Sequence, residues 1–184
     1  MKYASIARHL RPYRMVSKRR TTVNHMFAAA IAPNDPYEVD RVRAAVATLG
    51  NDPKGALECA YCGDDAETWD HIFATVKDSR FSGHGHRIGN LLPCCKPCNS
   101  KKGNKAWETY LASLPLAKAE LRRRHARIEE YLGTYSYNDQ VQLQTGDHQR
   151  LDEIRETILE LMAEADVIAE RIRTHLEPPE KAED

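Results

Sequence analysis

The chain has 184 residues, 41% hydrophobic and 29% charged side chains, and a formal net charge of zero, the proportions of a folded globular protein and not of a disordered one. No apolar run reaches the roughly 18–20 residues that a membrane-spanning helix needs. The N-terminus lacks the charged-then-apolar layout of a secretion signal, so a cytoplasmic protein with no membrane association is expected.

The zero net charge conceals a division along the chain. Lys2, Arg8, Arg11, Arg14, Lys18, Arg19 and Arg20 all precede the first acid, Asp35, whereas from Leu151 onward eleven acids face four Lys or Arg. A basic segment of this kind suits a polyanionic partner, and equally suits a solvated face. Residues 1–24 read as a basic arm, with Pro12 interrupting any long helix, and 25–31 as a short apolar stretch ended by the turn cluster APNDP. Over 37–50, Val39, Val42, Ala45, Val46 and Leu49 recur at helical spacing, and Gly50 stands where a helix C-cap belongs. Residues 1–56 are thus a basic arm followed by a helical layer.

Residues 57–114 hold every cysteine. The apolar patches WDHIFATV and IGNLLP are too short for self-sufficient helices and suit short strands. NKAWETYLASL places Ala106, Trp107, Tyr110, Leu111 and Leu114 on one helical face, so the segment reads strand, loop, strand, helix. Residues 115–184 read as long helices. One is expected over about 116–132; in another, Leu151, Ile154, Ile158, Leu161, Ala165, Ile168 and Ile172 recur at steps of three and four, a heptad stripe. Such a stripe serves a helix packed within its own chain or the seam of a homodimer.

Five cysteines without a secretion signal are not a disulfide framework. Cys59 and Cys62 form one C-x-x-C pair and Cys95 and Cys98 another, and two such pairs supply four thiolates to a tetrahedral structural Zn²⁺. Cys94 is the spare, a buried or free thiol. The 32 residues between the pairs exceed the 15–20 of an ordinary zinc ribbon. That insertion carries Asp70, His71 and Asn90, with Asn99 and Lys102 just beyond the second pair: an acid, an imidazole and carboxamides able to hold a hard divalent cation through oxygen. Each also has a plainer use. An Asp-His pair is often a surface hydrogen bond, an Asn after Cys a helix cap, Asn90 a turn residue and Lys102 a solvated charge.

Taken together, WDHIFA, GNLLPCCKPCN and NSKKGNK resemble an HNH endonuclease of the ββα-metal type, in its form stabilised by a four-cysteine zinc site. The resemblance covers about residues 57–112. It implies an α+β fold: a zinc-stabilised ββα-metal core (57–114) between an N-terminal helical layer and C-terminal long helices. It also implies a DNA phosphodiester hydrolase in which His71 takes a proton from the attacking water. Asn90 ties the loop to the strand, and Asp70 and Asn99 hold catalytic Mg²⁺ or Mn²⁺, Asn99 beginning the helix where many members carry His. Lys102, Arg80 and Arg87 are the expected phosphate contacts, the arginines for their planar donor fork. RFSGHGHRIGN departs from the commonest loop of the family; His84 and His86 there could add metal ligands or touch DNA, and are expected first as exposed loop side chains. A homodimer through the C-terminal stripe would bring two sites to double-stranded DNA. The alternative from another class is a zinc-dependent nucleic-acid-binding module with an inert centre.

Overall fold

A computed structural model describes residues 2–136 and 146–176. The chain divides into two compact units, one of Met1–Phe27 with Gln144–Asp184 and the other of Ala28–Leu143. Helices and two small antiparallel sheets make an α+β protein. No helix among the described residues is long and apolar enough to cross a membrane.

In the first unit the basic segment is exposed and partly helical, with Pro12 between its two helical pieces. After a 3₁₀ turn at Tyr3–Arg8, helix α1 runs from Met15 to Ile31 and takes Lys18, Arg19 and Arg20 into its first two turns. Its N-terminus has unpaired amides and a positive dipole end. Asp166 meets both, accepting hydrogen bonds from the amides of Met15 (2.7 Å) and Val16 (3.1 Å). Asp166 lies on α6 (Gly146–Leu176), so the acidic tail pairs with the basic segment inside the chain. Farther along, Arg155 Nη1 donates to Asn24 Oδ1 at 3.0 Å, beside buried Leu159 and Val23. The face of α6 used here centres on Arg155, Leu159 and Asp166. It leaves Ile154, Leu161, Ile168 and Ile172 of the heptad stripe exposed.

The second unit takes in the last residues of α1 from Ala28 and then α2 (Val39–Thr48), closed by Leu49 and by Gly50 at φ +81°. A side chain is strained at that φ, and a Cβ there would also strike the Arg127 guanidinium, so glycine is required at this C-cap. Strand β1 (Thr68–His71) pairs antiparallel with β4 (Leu91–Cys94), Asp70 opposite Leu92 and His71 opposite Leu91. The intervening stretch carries a minor hairpin of β2 (Val76–Lys77) and β3 (Arg80–Phe81). Two helices follow β4 where the sequence suggested one: α3 (Lys96–Lys102) and α4 (Trp107–Ala112). Helix α5 (Lys118–Tyr135) then packs on α2 and α4. Tyr61, Ile72, Leu92, Trp107, Tyr110, Leu111, Ile128 and Tyr131 form the core of this unit.

Candidate functional site: a thiolate cluster beneath a strand–strand–helix motif

The first cysteine pair lies in a turn and the second at the start of α3. Arg124 of α5 holds the turn by donating to the carbonyls of Cys59 (3.1 Å) and Ala60 (3.4 Å). The Ala60 amide is bonded to the Pro93 carbonyl at 2.9 Å, which ties the turn to β4. Cys95 is the N-cap of α3, and its sulfur accepts from the Cys98 amide at 3.4 Å. Helix start and sulfur ligand are thus one residue. The Sγ atoms of Cys59, Cys62, Cys95 and Cys98 all lie within 4.8 Å of one another. Four sulfurs about 2.3 Å from a tetrahedral zinc stand roughly 3.8 Å apart, so these four residues fit a structural metal such as zinc. The neighbouring Cys94 thiol holds the Cys59 pKa down to about 4, whereas burial raises Cys62. Cys94 itself is fully buried, its sulfur 3.9 Å from Cys59 Sγ and outside the four-sulfur group.

Above this base, β1 sends adjacent side chains to opposite faces, as any strand must. Asp70 goes inward. Its Oδ2 accepts from the Tyr61 hydroxyl at 2.8 Å and lies 3.0 Å from Lys102 Nζ, which also approaches Oδ1 at 3.3 Å. Lys102, expected at the surface, is 1% exposed. Its ammonium also donates to the carbonyls of His71 (2.7 Å) and Gly103 (3.4 Å). Burial raises the Asp70 pKa, and the attraction of Lys102 opposes that shift without cancelling it.

Asn99 does not begin the helix. It is the fourth residue of α3, with Nδ2 donating to Thr68 Oγ1 (3.1 Å) and the Trp69 carbonyl (3.4 Å). Asn90 bridges two loops: its Oδ1 accepts from the Phe73 amide (2.8 Å), and its Nδ2 donates to the carbonyls of Phe73 (3.1 Å) and Gly85 (2.9 Å). Arg80 is exposed on β3, and Arg87 is half-buried in the loop before β4.

His71 is half-buried, its Nε2 2.9 Å from Nδ1 of His86, with ring centroids 5.0 Å apart. His86 is exposed, as expected of a loop side chain, and meets His71 there. His84, its neighbour two residues back, stacks on Phe73 instead at 4.9 Å, and burial lowers its pKa.

Lys102 thus bridges the Asp70 carboxylate and the His71 carbonyl, while the Asn99 amide turns to Thr68 and Trp69. A hard divalent cation binds through carboxylate and carbonyl oxygens. Both Asp70 oxygens already face an ammonium, and one accepts a phenol proton as well. So engaged, the Asp70 carboxylate does not fit Mg²⁺ or Mn²⁺, and Lys102 supplies the compensating positive charge.

Comparison of the chain with protein-family models, curated proteins and solved structures finds no match.

Proposed function

We propose that the chain is a zinc-stabilised nuclease of the HNH type, hydrolysing phosphodiester bonds in double-stranded DNA in the cytoplasm. The observation that carries this reading is the strand–strand–helix order of β1, β4 and α3, seated on four clustered cysteines, with His71 at the end of β1. His71 takes the proton of the attacking water, the commonest duty of a positioned imidazole near neutral pH. Asn90 holds the loops around it, and Arg80 and Arg87 receive phosphate oxygens through their planar forks. The basic residues of α1 add sequence-independent, salt-sensitive affinity for DNA. The exposed stripe on α6 joins two copies, so that paired sites address both strands.

A second reading is favoured by one observation. The buried Asp70–Lys102 pair supplies internally the charge that a divalent ion would bring, which suits a zinc-dependent nucleic-acid-binding module without catalysis. Supercoiled plasmid separates the two. Zinc-loaded protein is incubated with it in Mg²⁺, in Mn²⁺ and with neither, alongside His71→Ala. Nicked or linear product that disappears in His71→Ala supports the nuclease. Retarded but intact plasmid under every condition supports the binding module.

A further inference from the structure

We infer that a cavity bordering His86 receives one nucleobase turned out of the bound DNA, so that the strand is gripped at an unpaired position; the inference rests on the nucleic-acid part of the proposed function. The cavity, of about 290 Å³, opens between α2, residues 35–37 and one face of the β1–β4 pair. Its floor is aliphatic, made by Val42, Val46 and Leu49 with Ile88 and Leu91. Tyr131 closes the back, its hydroxyl already committed: it accepts from the Gly89 amide and donates to the Leu91 carbonyl, each at 2.8 Å. This size stands at the lower end of small-molecule sites, room for a planar ring system and not for a peptide helix. At the rim the fold leaves two large aromatic side chains in water, Trp69 at 46% exposure and Tyr37 at 80%. Apolar surface kept in water around a concavity marks a binding site.

A nucleobase meets each of these features. Its faces stack on indole and phenol rings, an attraction that every base offers. Its edge needs a polar partner, and the walls supply one in Asp35. That side chain is 10% exposed and lines the cavity, and its Oδ2 accepts from the Ile88 amide at 3.0 Å. A carboxylate has about four lone-pair sites, enough to accept an N–H from a base edge as well, as carboxylates do from an exocyclic amine. Arg41 lies 3.6 Å from the same oxygen and offsets the negative charge that would otherwise repel an incoming phosphate. An aliphatic ligand would use neither the aromatic rim nor the carboxylate.

The cavity also lies on the side of the strand pair that carries His71. Trp69 and His71 are two residues apart on β1 and so face one way, as does Leu91, the register partner of His71. His86 lines the cavity and meets the His71 ring at 2.9 Å. A base seated against Trp69 and Tyr37 therefore keeps its own phosphodiester on that side. Turning a base out of a duplex costs stacking and pairing, and costs least where the base has no partner. The preferred substrate is then a duplex with one unpaired base, above all a base with an exocyclic amine.

The test measures binding by fluorescence anisotropy, with full-length zinc-loaded protein and no added Mg²⁺ or Mn²⁺. Three labelled DNA hairpins are compared, alike but for one bulged position that holds deoxyguanosine, thymidine or an abasic sugar. The guanine bulge is expected to bind roughly 10–100-fold more tightly than the abasic one, the scale of a base stacked on an aromatic side chain. Thymine, which has no exocyclic amine, falls between them. Trp69→Leu removes the advantage and leaves affinity for the abasic hairpin unchanged, whereas Trp69→Phe keeps most of it. Equal affinity for the three hairpins overturns the inference, as does an advantage that survives Trp69→Leu. Plasmid cleavage without any preference among the bulges keeps the nuclease and removes the base site. A bulge preference without cleavage keeps the base site and removes the nuclease.

Discussion

Replacing Lys102 with Met tests the buried charge pair. Lys102 and Asp70 are 1% and 5% exposed at their side chains, and Nζ lies 3.0 Å from Oδ2. At an effective dielectric of about 20, two unit charges at that separation attract by about 5.5 kcal/mol. Removing the ammonium also deprives the His71 carbonyl of its 2.7 Å hydrogen bond and leaves a carboxylate out of water. Loss of one partner of a buried pair costs about 3–5 kcal/mol, which is the expected destabilisation at neutral pH. The sign of its pH dependence follows from Asp70. Its pKa is already raised in the folded protein and rises further without Lys102. A raised carboxyl pKa means that the folded state holds the proton longer than the unfolded one. Stability is then greatest at low pH and is lost as pH climbs from the unfolded value through the folded one. The penalty of Lys102→Met, relative to wild type at the same pH, should therefore shrink on mild acidification. Urea unfolding of zinc-loaded protein at two pH values measures it, and Asp70→Asn/Lys102→Met should recover much of the loss. A single-mutant cost below about 1 kcal/mol, the scale of an exposed pair, or a double mutant as unstable as the summed singles, would refute the reasoning.

Other outcomes follow from the remaining contacts. Cys59→Ser should lose metal and folded protein together, because an incomplete thiolate set no longer contributes its binding energy to folding. Cys94→Ser should keep one zinc per chain by atomic absorption, and His71→Ala should keep both zinc and melting temperature. Asp166→Asn should lower the melting temperature at neutral pH and make little difference in strong acid. The amides of Met15 and Val16 hold the Asp166 pKa below its usual value, so its contribution is present above the unfolded pKa and lost as pH falls through the lowered folded one. Leu161→Arg/Ile168→Arg should turn a dimer into a monomer by sedimentation without unfolding it; a wild type that sediments only as a monomer would remove the proposed seam.

Much of the local structure was legible because it rests on local rules. Gly50 marked the end of α2, the three-and-four spacing marked α6, and the short apolar patches became β1 and β4. The two C-x-x-C pairs were enough to bring their sulfurs together. What stayed hidden depends on partners far away in sequence. The extent of α1 was not legible because its charged residues show no apolar stripe, and the acid that caps it lies about 150 residues on. Lys102 read as a phosphate contact or a solvated charge, and it is neither here, being buried against Asp70; a lysine at that spacing carries no sign of the carboxylate it meets across the helix–strand contact. The contact of His86 with His71 was not legible because it forms only where the loop folds back onto residues 33–35.

One consequence concerns how a metal requirement would be interpreted. Cys95 both clusters with the other three sulfurs and receives the first turn of α3, and the same short helix ends on Lys102. Stripping the protein with a strong chelator would fray α3 from its first residue and release the anchor of β1 at its last. Activity abolished by chelation would then register a collapsed support, and only divalent-ion titration of protein kept zinc-replete reports on the chemistry itself.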